Sequence, residues 1–104
     1  MEQIEEQEKK EDNTVLIGKK PTMNYVIAVA TMAGSDKNPI FIKARGKLIS
    51  KAVDVAQISI RRFVKAYKIA NMTSATEEMK GIDRKTGHEG PINVSVIAIE
   101  LRKG

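Results

Sequence analysis

The sequence predicts a small α+β domain, a two-layer α/β sandwich of order βαβαββ with a four-stranded mixed sheet and two helices on one face. Three observations predict it. Two stretches carry helical apolar spacing, each follows a short aliphatic run that turns at a glycine, and the C-terminal part holds two segments suited to a hairpin. At 104 residues there is room for one modest core and not for two.

Residues 1–13, MEQIEEQEKKEDN, offer one aliphatic side chain after the initial Met and read as a disordered acidic tail before a domain over 14–104. Residues 14–17 form a brief β-branched and aliphatic run closed by Gly18, which suits a buried strand. Pro21 suits the first position of a helix, where its missing N–H is no loss, and the helix runs to about Ala33 before Gly34. Met23, Val26, Ile27, Ala30 and Ala33 project on one side and are expected to face the sheet. Tyr25, Val29 and Met32 lie elsewhere, so this helix is apolar nearly all round and calls for a second cover, such as a partner subunit.

Residues 35–39 read as a turn and 40–44 as a central strand. A second helix over 47–64 places Ile49, Ala52, Val53, Ala56, Ile60, Phe63 and Val64 toward the core, flanked by Leu48, Val55 and Ile58 with Lys51 and Arg62. Residues 68–74 and 92–101 read as two strands of a hairpin. The connection over 75–91, with Gly81, Gly87 and Gly90, is long for a hairpin and reads as a projecting loop.

Charge narrows the function classes. The chain carries +5, but residues 1–12 hold six acids and two lysines, leaving 16 basic and 7 acidic side chains, or +9, on residues 13–104. Such a field attracts polyanions, nucleic acid foremost, and the −4 tail beside it suits either competition for the basic face or plain solubilisation. Cysteine is absent, which excludes disulfides and thiolate chemistry. No apolar stretch approaches the roughly 18 to 20 residues of a membrane span, and no secretory pattern opens the chain. A cytoplasmic protein with no membrane partner is expected.

Lys19, Lys20, Lys43, Arg45, Lys47 and Lys51 are the clearest functional constellation, because they flank the two glycine-bearing turns where a strand hands over to a helix. Backbone N–H groups near Gly18 and Gly46 are expected to join them around phosphate oxygens. Catalysis is disfavoured: Asp36 and Asp54 are isolated, Glu77 and Glu78 fall in the loop, and His88 is the single histidine. A metal-dependent nuclease is therefore the weaker alternative, and no cofactor, metal or small-molecule substrate is expected.

The segments VLIGKKPTMNYV at 15–26 and IKARGKLISKAVDVA at 42–56 closely resemble the two signature stretches of the Alba family of archaeal chromatin proteins. The resemblance covers 13–103, and the family fold, similar to the C-terminal domain of translation initiation factor three, has the element order read above. It implies sequence-independent binding of double-stranded DNA, and of RNA, by a dimer that coats or compacts chromosomal DNA in the cytoplasm or nucleoid. A role centred on RNA in ribonucleoprotein particles is the alternative within the same fold. By resemblance Lys19 and Lys20 match a lysine pair that lies over the nucleic-acid backbone, one of them a candidate for acetylation, while Lys43, Arg45 and Lys47 match a basic strand-loop cluster. The segment 75–91 matches a minor-groove arm that brings Arg84 and Lys85, although here its charge is −1. Self-association, as homodimer, as heterodimer with a paralogue or as filaments on DNA, is expected to use Leu48, Val55, Ile58, Arg62 and Phe63.

Overall fold

The computed structural model describes residues 13–82 and 85–104. Its elements are β1 (Thr14–Leu16), α1 (Thr22–Gly34), β2 (Ile40–Arg45), a 3-10 turn (Gly46–Leu48), α2 (Ile49–Ile58) with a π turn (Ser59–Phe63), β3 (Tyr67–Ile82) and β4 (Glu89–Lys103). One mixed sheet runs in the order β1-β2-β4-β3, with β1 parallel to β2 and β4 antiparallel to both its neighbours. This is the expected βαβαββ sandwich. Residues 1–12 of the expected tail lie outside the described residues; Asn13 is held, donating from Nδ2 to the Pro39 carbonyl and accepting the Phe41 N–H.

The pleat sorts the sheet into two faces. Ile40, Ile42 and Ala44 of β2 pair with Leu101, Ile99 and Ile97 of β4 and are buried under the helices. The intervening Phe41, Lys43 and Arg45 therefore share the opposite face with Val96, Ala98 and Glu100.

The helices differ from expectation in phase. In α1 the core takes Val26 and Val29, with Tyr25, Met32 and Ala33 partly buried beside them, whereas Met23 and Ile27 stay 43% and 61% exposed. Both stripes have helical spacing and are apolar, so periodicity alone did not choose between them. Pro21 is extended and stands one position before the helix. The helix ends at Gly34, as expected, but the left-handed residue that closes it is Asp36, at φ 62°. There the Lys37 N–H donates to the Met32 carbonyl and the Asp36 N–H to that of Ala33, closing a Schellman turn without a glycine.

In α2 the buried stripe is Ala52, Val55, Ala56 and Ser59. Ser59 is the polar member that disguised it. The π turn, closed by Val64 N–H to the Ser59 carbonyl at 2.7 Å, inserts one residue into the helical phase. Val64 stays buried, while Phe63, expected in the core, turns out to 51% exposure.

The largest correction concerns 75–91. Most of this expected loop is a two-stranded ribbon, with β3 and β4 paired from Tyr67↔Lys103 to Ile82↔Glu89. β2 ends at Arg45 opposite Val96, and beyond that row the ribbon has no neighbouring strand and water on both faces. Burial no longer imposes an apolar alternation on most of it, and the expected strands accordingly stop at Ser74 and Ile92, short of the observed ends. The seven residues beyond Val96, out to Glu89, extend about 23 Å. They account for a molecule 49 Å long but only 28 and 22 Å across.

Candidate nucleic-acid interface

Parallel pairing of β1 with β2 brings both strand-to-helix turns to one end of the sheet, and the antiparallel β4 makes the ribbon leave from that same end. Gly46, at φ 55°, makes the sharp exit from β2 into α2, a backbone conformation a side chain disfavours. The other turn, residues 18–20, is clamped from two sides. The Tyr25 hydroxyl accepts the N–H groups of Gly18 at 2.9 Å and Lys20 at 3.1 Å. A Cβ at position 18 would stand 3.0 Å from that oxygen, which explains the glycine. From α2, the Lys51 ammonium donates to the carbonyls of Gly18 at 2.9 Å and Lys20 at 2.7 Å, and lies 5.6 Å from the centre of the Tyr25 ring.

This geometry reassigns two expected contributors. Lys51 spends two of its three N–H donors holding the turn and acts as a positioning residue. The amides of Gly18 and Lys20 are likewise engaged by Tyr25 rather than open to an anion. What the clamp leaves outside are the side chains of Lys19 and Lys20, both exposed, with exposed Lys47 beyond Gly46 at the same end. An ammonium borne on a fixed turn loses less conformational freedom on meeting a phosphate than one on a mobile loop. No pattern in the sequence marks Tyr25 as a loop anchor; its contact with residues seven and five positions away exists only in the fold.

Lys43 is partly buried on the open sheet face, and Arg45 follows it there. Arg45 reaches across β4 to β3, its Nε donating to Glu77 Oε1 at 3.0 Å, with the two side chains 59% and 46% exposed. Lys85 is exposed near the ribbon tip, about 20 Å or more along the ribbon from the turns, and Arg84 lies outside the described residues. Of the expected contact residues, Leu48 and Ile58 are partly buried, and Arg62 and Phe63 are exposed on the π turn. Val55, expected at the same contact, is instead fully buried inside its own chain, where it packs in the core.

Among the described residues no group of three or more His, Cys, Asp or Glu is placed to hold a metal ion, and no helix is long and apolar enough to cross a membrane. Of the two tyrosines, Tyr67 is buried with its hydroxyl donating to the Lys37 carbonyl at 2.5 Å, and Tyr25 is the clamp.

A two-layer sandwich with a clamped lysine turn and a ribbon protruding from the same end defines a class of small, basic α+β domain. Within that class this chain belongs to the Alba family. The Alba family model matches residues 13–76. The chain is 46% identical over 93 residues to the DNA/RNA-binding protein Alba of Thermoplasma volcanium, covering 89% of this chain and 98% of that one. The solved structure of Alba from Thermoplasma volcanium superposes with a TM-score of 0.77 at 48% identity, over 86% of this chain and 99% of the other. An Alba protein from Trypanosoma brucei shares the fold at a TM-score of 0.67 and 17% identity, over 88% of this chain and 69% of that one.

Proposed function

We propose that this chain binds double-stranded DNA and RNA along the sugar-phosphate backbone, without reading sequence, through Lys19, Lys20, Lys43, Arg45 and Lys47, with Arg84 and Lys85 as secondary contacts. The observation that carries this reading is the double clamp by Tyr25 and Lys51, which fixes the lysine turn at 18–20 against the helix that follows the second basic turn. As a member of the Alba family the chain acts by binding and not by catalysis. Relatives at 46% identity carry the name DNA/RNA-binding protein, which supports both ligands.

Binding of this kind releases counterions, so affinity falls log-linearly with salt, by about three orders of magnitude between 50 and 200 mM for roughly six phosphate contacts. RNA is held by shape: both tyrosines are used internally, leaving few rings for stacking on splayed bases. The reading includes self-association through the α2 surface of Leu48, Ile58, Arg62 and Phe63, where a half-exposed phenylalanine beside an arginine suits an interface centre. On this reading two such edges in a dimer coat or bridge duplexes of chromosomal DNA in the cytoplasm or nucleoid, and Lys19 or Lys20 is a candidate for acetylation. The deciding experiment is a salt titration of binding to random-sequence duplex DNA and duplex RNA. Steep salt slopes with little sequence preference are expected; no complex in dilute buffer, or affinity that tracks sequence, would refute the reading.

A further inference from the structure

The ion pair between Arg45 and Glu77 joins the body cluster to the base of the ribbon. Arg45 pairs with Val96 in β4, and Val96 pairs with Ala75 in β3, so all three lie in one row on the open sheet face. Glu77 is two positions along β3, on the same face, paired with Val94. Its carboxylate therefore sits over β4 within reach of the guanidinium, and Nε to Oε1 is 3.0 Å. An arginine presents a fixed fork of donors suited to a carboxylate or a phosphate, and the Nε edge of this fork is held by the carboxylate.

We propose that Glu77 is a built-in competitor for nucleic-acid phosphate at Arg45: it occupies the guanidinium in the free protein and is displaced when backbone oxygens arrive, which tempers affinity and salt dependence. The inference rests on the reading of the basic edge as a phosphate site. Two features make displacement feasible. Both partners are about half exposed, so their pair is a weak, solvent-screened one. The carboxylate also arrives from the ribbon, whose outer part rests on no other strand of the sheet, so it can move away without disturbing the buried core. The neighbouring Glu78, paired with Asn93, points to the opposite ribbon face and carries the same charge without the contact. It supplies the control that separates competition from simple charge.

The test compares Glu77→Gln and Glu78→Gln in the full chain, alone and combined with Arg45→Gln, by titrating a short random-sequence duplex DNA at about 150 mM salt, where the Debye length is about 8 Å. Glu77→Gln is expected to tighten binding about threefold and to steepen the logarithmic salt slope by about one, while Glu78→Gln changes affinity by less than about half of that. With Arg45→Gln in place, the two substitutions are expected to become equivalent. In the unmodified protein, the Arg45 Nε–H resonance is expected to shift on adding duplex as its partner changes. Equal effects of the two glutamate substitutions, a weakening by Glu77→Gln, or an unmoved Arg45 resonance in a duplex-bound sample would each overturn the competitor. Absence of any complex with the unmodified chain at low salt would instead remove the phosphate site beneath it.

Discussion

The lysine turn at 18–20 and the ribbon of β3 and β4 leave the same end of the sheet, yet they are held in opposite ways. The turn has hardly any chain to spare: one tyrosine hydroxyl takes two of its amides and one ammonium takes two of its carbonyls. The ribbon is long and, beyond Val96, is held by its own ladder of hydrogen bonds and by the exposed Arg45–Glu77 pair at its base, with Met79, Ile82 and Ile92 exposed. Charge follows the same division. The turns carry Lys19, Lys20 and Lys47 without an acid among them, whereas the segment 75–91 balances three cations with four acids. On the proposed function, the fixed cationic edge provides affinity at low entropic cost and the weakly charged, loosely tethered ribbon provides reach.

Removing the fixed charge tests the first half of that contrast and should have the largest effect. Lys19→Ala with Lys20→Ala is expected to weaken binding to random duplexes by at least about tenfold and to lower the salt slope by about two. A gel-shift titration across several sequences reads it, and a change in sequence preference with unchanged slope would contradict backbone contact. Next comes the clamp itself. Lys51→Met keeps much of the side-chain stem but frees the carbonyls of Gly18 and Lys20. About threefold weaker binding is expected, with a melting temperature a few degrees lower, since about 1 kcal/mol moves the midpoint of a domain this size by roughly 4–8 °C. Tyr25→Phe should act in the same direction through the two amides it releases.

Trimming the ribbon sharpens the other half. Replacing residues 79–90 by a tight turn is expected to leave the melting temperature almost unchanged, because the described residues removed are outside the core, and to reduce affinity by about twofold. A larger loss than that of the double lysine variant would reverse the ranking of edge and ribbon. The smallest effect on binding to an isolated short site is expected for Phe63→Asp, which should instead abolish self-association in sedimentation and cooperative loading on long duplexes. Val55→Ala is its counterpart: burial predicts a stability loss of about 1–2 kcal/mol with association unaffected.

The same division describes what could be read without coordinates. Elements that bury one face announce themselves: Ile40, Ile42 and Ala44 alternate with Phe41, Lys43 and Arg45, and the strand they predict lies within one residue of β2. In β4 the expected strand already reached Ile92, beyond Val96, but β3 past Ser74 and the outer end of the ribbon gave no such signal, since strands solvated on both faces need no alternation, and a loop was the natural expectation for Thr76, Glu77 and Glu78. Helix phase failed for a different reason. Of the stripe expected to face the sheet, Val26, Ala30 and Ala33 do so, but Tyr25, Val29 and Met32 take the places expected for Met23 and Ile27; both sets are apolar and nothing local ranks them. In α2, a buried serine and a π turn exchanged the places expected for Val55 and Phe63.

By itself the chain determined its element order, its cationic body and which residues border the two glycine-bearing turns, because apolar period, charge and turn chemistry are local properties. Only the tertiary structure decided that Lys51 and Tyr25 hold the lysine turn, and that Arg45 meets Glu77 across an intervening strand. Those contacts join residues up to 33 positions apart. They depend on strand order and register, which arise when the whole sheet assembles and which no neighbouring residue encodes.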